Sequence, residues 1–175
     1  YLPVLCDTVL MTDGSGLYLA GPALVKAAIG QDITSEELGG AHMHAAISGT
    51  IDYQEPDDSS CLARLRQLIG LLPPDPSSPS TGATIDPPAR GNSEIFEVVK
   101  TDASAQYDAR DLLACLLDGS RFDEYRAEYG RTLVCGFGRL GGHGIGIVAS
   151  QRLRLRPESG GAFQFGGVLY GDSAD

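Results

Sequence analysis

The chain has 175 residues, of which 42% are hydrophobic and 21% charged, the make-up of one globular domain or two partial ones. Thirteen Lys and Arg face 23 Asp and Glu, a formal charge of −10. That balance disfavours nucleic acid as a partner but leaves room for a small anion held by backbone amides. No apolar run reaches the roughly 20 residues that span a bilayer, and no charged-then-apolar leader opens the sequence.

The chain opens Tyr1-Leu2-Pro3-Val4-Leu5, without an initiating Met. Residues 16–20 read as a short buried strand broken by Gly21-Pro22. Pro22 suits the first position of a helix, which runs through the Ala-rich stretch to Ile29 and stops at Gly30. Thr34 and Glu37 have capping-box spacing, and Gly39-Gly40 ends the short helix they start. Residues 59–72 predict the clearest helix. Cys61, Leu62, Leu65, Leu68, Ile69 and Leu72 recur at spacings of three and four on one face, and Pro73-Pro74 ends it.

Residues 73–93 hold six of the ten prolines, with Ser, Gly, Asp and Asn, and read as an interdomain linker. Patterned sequence resumes at Glu94-Ile95-Phe96-Glu97-Val98-Val99. Asp108 is the expected cap of a helix with Leu112, Leu113, Leu116 and Leu117 on one stripe, ended by Gly119. Residues 120–129 predict a further short helix carrying Phe122, Tyr125 and Tyr129. Thr132–Phe137 and Ile145–Ala149, joined through Gly141-Gly142, predict a β-hairpin. Residues 163–170 give one more strand. Asp172 and Ser173 are good N-cap residues that announce a helix, so the chain is expected to be an internal piece of a longer protein. Strands and helices alternate on both sides of the linker, which favours α/β layers.

Several patterns carry a chemical reading beside a plainer one. Gly136-Phe137-Gly138-Arg139-Leu140-Gly141 matches G-x-G-x-x-G, but strand formers follow it where a dinucleotide site needs a helix. Gly142, Gly144 and Gly146 share one strand face, which suggests close approach of a helix or a ligand. His42-x-His44 has metal-ligand spacing without an obvious third ligand, and hydrogen-bonded histidines are the plainer reading. The acid run 55–58 lacks the ligand spacing of a calcium loop and reads as a solvated turn. Lys26 reads as a snorkelling surface lysine. Arg152, Arg154 and Arg156 alternate along an extended segment and read as a solvated strand edge, with an acidic partner chain or a phosphate as the sharper alternative. Cys6, Cys61, Cys115 and Cys135 are too far apart for a C-x-x-C pair and read as buried, reduced thiols of a cytosolic or organelle protein.

Taken in order, several stretches resemble one family. They are Gly16-Leu17-Tyr18-Leu19-Ala20-Gly21-Pro22-Ala23-Leu24-Val25-Lys26, Ser35-Glu36-Glu37-Leu38-Gly39-Gly40-Ala41-His42-Met43-His44 with Ser48-Gly49, Tyr107-Asp108-Ala109-Arg110-Asp111, Asp118-Gly119-Ser120-Arg121-Phe122-Asp123-Glu124-Tyr125, Leu133-Val134-Cys135-Gly136-Phe137-Gly138-Arg139, Gly146-Ile147-Val148-Ala149 and Gly166-Gly167-Val168-Leu169-Tyr170 with Asp172-Ser173-Ala174-Asp175. The family is that of the carboxyltransferase (β) subunits of biotin-dependent acyl-CoA carboxylases. The resemblance implies an α/β, crotonase (ClpP)-like fold in two tandem domains. Residues 1–72 would be the end of the first, 73–93 the linker and 94–175 the start of the second.

It also implies transfer of CO₂ from carboxybiotin to an acyl-CoA through an enolate whose oxyanion is held by main-chain N–H groups. The implied partners are a biotin carboxylase and biotin carrier (α) subunit, acyl-CoA and further β subunits, with no metal. The compartment would be the bacterial cytoplasm or the mitochondrial matrix. The family's glycine-rich oxyanion turns fall outside this sequence, and its Asn after Ile-Val-Ala is Ser150 here. Candidates for lining the site are Tyr1, Pro3, Gly21, Pro22, Lys26, Gly39, Gly40, Ser150 and Gln151, with turn and packing positions as the plainer reading. Leu19-Ala20-Gly21-Pro22 leans toward the methylcrotonyl branch. The competing readings are another crotonase-type hydratase or isomerase and a non-catalytic assembly subunit.

Overall fold

The computed structural model describes residues 1–72, 85–102 and 104–175. Most of the expected linker, 73–84, lies outside the described residues. The chain divides into two compact units, Tyr1–Arg66 and Gln67–Asp175, each considered by itself below.

The first unit opens with a 3₁₀ turn, Pro3–Leu5, followed by strand β1, Leu10–Thr12. Helix α1, Pro22–Ile29, starts at Pro22 and ends at Gly30, whose φ of 71° is left-handed. Helix α2, Ser35–Gly39, has the full capping box. Thr34 Oγ1 accepts from Glu37 N at 3.2 Å, and Glu37 Oε2 accepts from Thr34 N at 3.0 Å. Thr34 Oγ1 also donates to Glu37 Oε2 at 2.7 Å, and this bond first, then the one from Thr34 N, holds the exposed Glu37 carboxyl below its usual range. A π-helix, Met43–Ser48, ends at Gly49 (φ 65°). Strand β2, Tyr53–Glu55, pairs with β1 in parallel, Leu10 opposite Tyr53.

Val9, Met11, Ala41, Ala45 and Ile51, with Leu17 at the edge, make this unit's core. Asp57 Oδ1 accepts from Ser60 N at 2.8 Å at the start of α3, Asp58–Leu71, so the acid run is a helix-entry turn as expected. The apolar stripe of α3 forms, but it faces outward: Leu62, Leu65 and Ile69 are all exposed. The division between the units falls inside this helix.

Two expectations for this unit need correction. Residues 16–20 are not a strand. Only Gly16 pairs, in a single antiparallel bridge with Gly40, and Tyr18 and Leu19 are exposed. The tight contacts of this segment with Gly39 leave no room for a regular ladder. Cys6 is exposed, not buried, because it lies in the chain's solvated opening turn.

In the second unit, helix α4, Ile95–Val98, precedes α5, Ala109–Leu116, which Asp108 caps by accepting from Arg110 N at 2.9 Å. Strands β3, Phe122–Tyr125, β4, Leu133–Leu140, and β5, His143–Ser150, form an antiparallel sheet in that order. The helix expected at 120–129 is therefore strand β3. Its aromatics have helical spacing, but the Phe122 ring lies where Gly136 of β4 leaves space, and that packing overrides the local pattern.

The hairpin forms as expected: Leu140 pairs with His143 around Gly141 and Gly142, whose φ values of 60° and 82° suit a type I′ turn. No helix opens at Gly141, so the G-x-G-x-x-G match is a strand and its turn. The crowded glycines are Gly136 and Gly138 of β4, not Gly144 and Gly146. A Cβ on Gly138 would lie 2.9 Å from Leu117 Cδ1, whereas one on Gly144 meets nothing nearer than 3.8 Å. Val134 packs with Ala109, Leu113 and Leu117, and Ile145, Ile147 and Ala149 of β5 line the same core.

Beyond β5, strands β6, Arg154–Leu155, and β7, Gln164–Phe165, pair antiparallel. The strand expected over 163–170 is thus limited to two residues, because Gly166 turns against the Gln151–Arg152 backbone and Gly167 takes a positive φ of 86°. Helix α6, Gly171–Ala174, starts two residues earlier than Asp172 and Ser173 suggest. Ser173 Oγ accepts from Tyr170 N at 2.8 Å, while Asp172 accepts from Gln164 Nε2 at 3.1 Å.

The hairpin turn is anchored by Asp118, 7% exposed, which accepts from Gly141 N at 2.9 Å and Gly142 N at 2.6 Å. Each buried amide left without its acceptor costs about 1–3 kcal/mol. Asp118→Ala is therefore expected to destabilise the chain by roughly 2–4 kcal/mol, read as a lower denaturation midpoint in urea. A change below about 0.5 kcal/mol, the scale of a neutral surface substitution, would refute the anchor.

Candidate functional site

In the first unit the candidate residues gather around a strap, residues 16–21, that leads into α1. Leu17 N donates to Gly39 O at 2.8 Å. Leu17 O accepts from His44 Nε2 at 2.7 Å, so in the neutral ring Nε2 carries the proton and Nδ1 accepts from Ser48 Oγ at 2.9 Å. Thr50 Oγ1 then donates to Ser48 Oγ at 2.8 Å. His44 is thus a hydrogen-bonded structural histidine, and it belongs to a π-helix rather than a strand. Among the described residues no group of His, Cys, Asp and Glu is placed to hold a metal ion.

The strap places Tyr18 on a floor of glycines. Cβ atoms added at Gly16 and Gly39 would each come within 2.8 Å of its ring, and one at Gly21 within 3.6 Å. Any side chain at Gly16 or Gly39 would push the ring away. Tyr18 itself remains 45% exposed, so its other side faces solvent. At the start of α1, Leu24 N and Val25 N both donate to Gly21 O, at 3.0 and 3.2 Å. Pro22 has no N–H, which leaves Ala23 N–H as the outward-pointing donor at the positive end of the helix.

The structure therefore brings Gly21, Pro22, Gly39 and Gly40 to one patch around Tyr18, a residue the sequence reading did not single out. The signal for it was the glycine spacing at 16, 21 and 39. Lys26 lies further along α1, exposed and 2.6 Å from Asp32. It is a solvated ion pair, as the plainer reading held. Tyr1 is 81% exposed at the chain start, and Pro3 opens the 3₁₀ turn.

In the second unit Ser150 ends β5 and Gln151 follows it, fully enclosed. Gln151 Oε1 accepts from Ala109 N at 3.0 Å and Arg152 N at 2.8 Å, and Nε2 donates to Asp108 Oδ1 at 3.0 Å. Its amide is consumed internally, so it braces the strand end and leaves Ser150 as the candidate that points outward. Arg110 continues the network with two bonds to Glu124, 2.6 Å from Nε and 2.5 Å from Nη2. Hydrogen bonding to Glu124 is the main reason that Arg110 is held above its usual range. Burial pushes the Asp108 carboxyl up, but bonds from Gln151 and Arg110, with the Arg110 charge, outweigh it and hold Asp108 below its usual range. Burial, then the Glu124 charge, pushes the Cys135 thiol up, which makes it a poor nucleophile.

Comparison with known proteins gives a consistent picture. The family model for the carboxyl transferase domain matches residues 1–175. A methylcrotonoyl-CoA carboxylase β chain of Dictyostelium discoideum is 39% identical over 151 residues, covering 86% of this chain and 26% of that protein. A biotin-dependent 3-methylcrotonyl-coenzyme A carboxylase β1 subunit of Mycobacterium tuberculosis is 34% identical and covers 99% of this chain and 30% of its own length. The chain thus spans under a third of these curated relatives. A solved transcarboxylase 12S structure, described as a hexamer with methylmalonyl-coenzyme A bound, superposes with a TM-score of 0.76 at 34% identity, over 85% of this chain and 29% of that one.

The Asp108 network sets a pH dependence. A carboxyl whose folded pKa lies below its unfolded value of about 3.9 stabilises the fold fully above that value. The contribution is lost as pH falls through the folded pKa. Asp108→Asn is expected to flatten the acid limb of a stability–pH profile below about pH 4. An unchanged limb would show that Asp108 plays no part in acid sensitivity.

Proposed function

This chain belongs to the carboxyl transferase domain family and has the crotonase-like α/β fold of its subunits, and on that premise we propose that it forms part of the carboxyltransferase component of a biotin-dependent acyl-CoA carboxylase. The observation that carries the reading is the family match along the whole chain, supported by carboxylase β subunits at 34–39% identity. In this reading 1–72 close a first crotonase-like domain, 73–93 link, and 94–175 open a second. The partners are a biotin carboxylase and carrier subunit, an acyl-CoA and further β subunits.

Carboxybiotin, held on the carrier, would supply the activated carboxyl group and, once CO₂ has left it, a ureido nitrogen that can take the proton. That suits the residues present. His44 is engaged on both ring nitrogens and Lys26 is paired with Asp32, so neither is a free base. What the chain contributes is main-chain polarity and shape. Ala23 N–H and the positive end of α1 favour an anionic thioester or phosphate nearby. The glycine floor and Tyr18 give a smooth, half-exposed wall. The Gln151 brace fixes Ser150 at a strand end, the usual ligand edge of an α/β sheet. The oxyanion donors themselves are assigned to glycine-rich turns beyond this sequence.

The test is carboxylation by the full-length protein. With its biotin carboxylase and biotinylated carrier, it is expected to convert at least one of 3-methylcrotonyl-, propionyl- and acetyl-CoA to the carboxylated product. Residues 1–175 alone are expected to be inactive. Hydration or isomerisation of an enoyl-CoA without carboxylation would overturn the assignment.

A further inference from the structure

Of the three histidines only His44 is buried. An imidazole taken out of water needs partners on both ring nitrogens, and His44 has them in Leu17 O and Ser48 Oγ. Its main chain is fixed as well. His44 N donates to Gly40 O at 3.1 Å, and the widened turn of the π-helix brings both Gly49 N and Thr50 N onto His44 O. The ring is therefore aimed at Leu17 O from a base that is itself tied down on both sides.

Leu17 is where the strap is last held. Gly16 bridges to Gly40, Leu17 N donates to Gly39 O, and the Leu17 side chain packs at the edge of the core. Among the described residues, no further backbone hydrogen bond holds Tyr18, Leu19 or Ala20. The next is at Gly21 O, which accepts from Leu24 N and Val25 N. The contact of His44 with Leu17 O depends on the bare backbone at position 39, where a Cβ would collide with that carbonyl and with the Tyr18 ring.

The carbonyl that His44 holds is shared property. The peptide bond is planar, so Leu17 C=O and Tyr18 N lie in one rigid plate. Fixing the carbonyl direction fixes the direction in which the chain leaves toward Tyr18. Without that bond the plate is free to turn, and the Tyr18 ring turns with it.

We propose that His44 is a positioning residue of the acyl-CoA site: its bond to Leu17 O sets the Leu17–Tyr18 peptide plane, and so the placement of the Tyr18 ring and of the chain entering Gly21-Pro22. This rests on the function proposed above, in which the strap and the start of α1 form one wall of that site. His44 touches no substrate and moves no proton. It holds the wall in the bound geometry before the thioester arrives, so its loss costs affinity more than chemistry.

Two substitutions separate this role from packing. The amide of His44→Gln reaches as far as Nε2 and can still donate to Leu17 O, but it loses Ser48. The amide of His44→Asn reaches only as far as Nδ1, so it can keep Ser48 and loses Leu17 O. Each gives up one of the ring's two bonds, so a merely structural histidine would make the two variants alike. The full-length protein is assayed with its biotin carboxylase and biotinylated carrier on 3-methylcrotonyl-, propionyl- and acetyl-CoA. Calorimetry gives the Kd of the same three thioesters. Neither KM nor Kd depends on how much of a variant folds.

In His44→Asn the KM and Kd for the thioester are expected to rise about five- to tenfold, the scale of one lost hydrogen bond. Its kcat and its KM for the carrier are expected to stay within about threefold of the wild type. In His44→Gln all of these are expected to stay within about twofold. His44→Met fills the same space without any donor and is expected to match His44→Asn. Equal thioester affinity in the Asn and Gln variants, or wild-type affinity in the Asn or Met variant, overturns the proposal. Failure of both the Asn and Met variants to fold makes His44 a folding residue and overturns it too. Thioester binding by the wild type without carboxyl transfer overturns the proposed function, while the Kd comparison still decides the role of His44.

Discussion

The second unit depends on one enclosed side-chain amide. Gln151 accepts from Ala109 N and Arg152 N and donates to Asp108, so it ties the first turn of α5 to the end of β5. An amide can bridge a donor and an acceptor at once, which neither a hydrocarbon nor a charge can do. Around it, Asp108 caps α5 and holds Arg110, and Arg110 reaches Glu124 on β3. Sheet and helix are thereby fixed to each other by directional bonds, and the small core of Val134, Leu113 and Leu117 fills the space between. Partial satisfaction of such a buried network would leave several donors and acceptors unpaired together, which is why it behaves as a unit.

The first unit solves a similar problem with missing side chains. Gly39 lets the strap lie against α2, and Gly16 lets the Tyr18 ring fold back on the chain. His44 then reaches Leu17 O from the π-helix. A π-helix widens the turn and redirects side chains, and such distortions are frequent at functional sites. The result is a strap whose outer surface carries the Tyr18 ring and which leads into the N-terminus of α1.

Features governed by neighbours in sequence were legible: Pro22 and Gly30 around α1, the Thr34–Glu37 box, the Asp108 cap and the Gly141-Gly142 turn. Each depends on one or two residues with a preferred backbone conformation or a side chain that reaches its own helix end. Features set by distant partners were not. Phe122, Tyr125 and Tyr129 have helical spacing, yet Phe122 is in a strand because Gly136 makes room for its ring. The role of Asp118 depends on amides 23 and 24 residues away. Tyr18 and the enclosure of Gln151 also required the folded chain. The family motifs pointed to the correct fold even where local pattern misled, because several of them had to occur in order.

Two of the strand pairings differ sharply in how much chain they enclose. Leu140 meets His143 across a two-residue turn, while Leu10 must find Tyr53 over a span of 43 residues. Closing the shorter loop costs little entropy and takes microseconds, whereas the parallel pair has to close a far longer loop, which costs more entropy and is slower. The half that leaves the ribosome first is therefore the half that reaches its native pairing by the slower route.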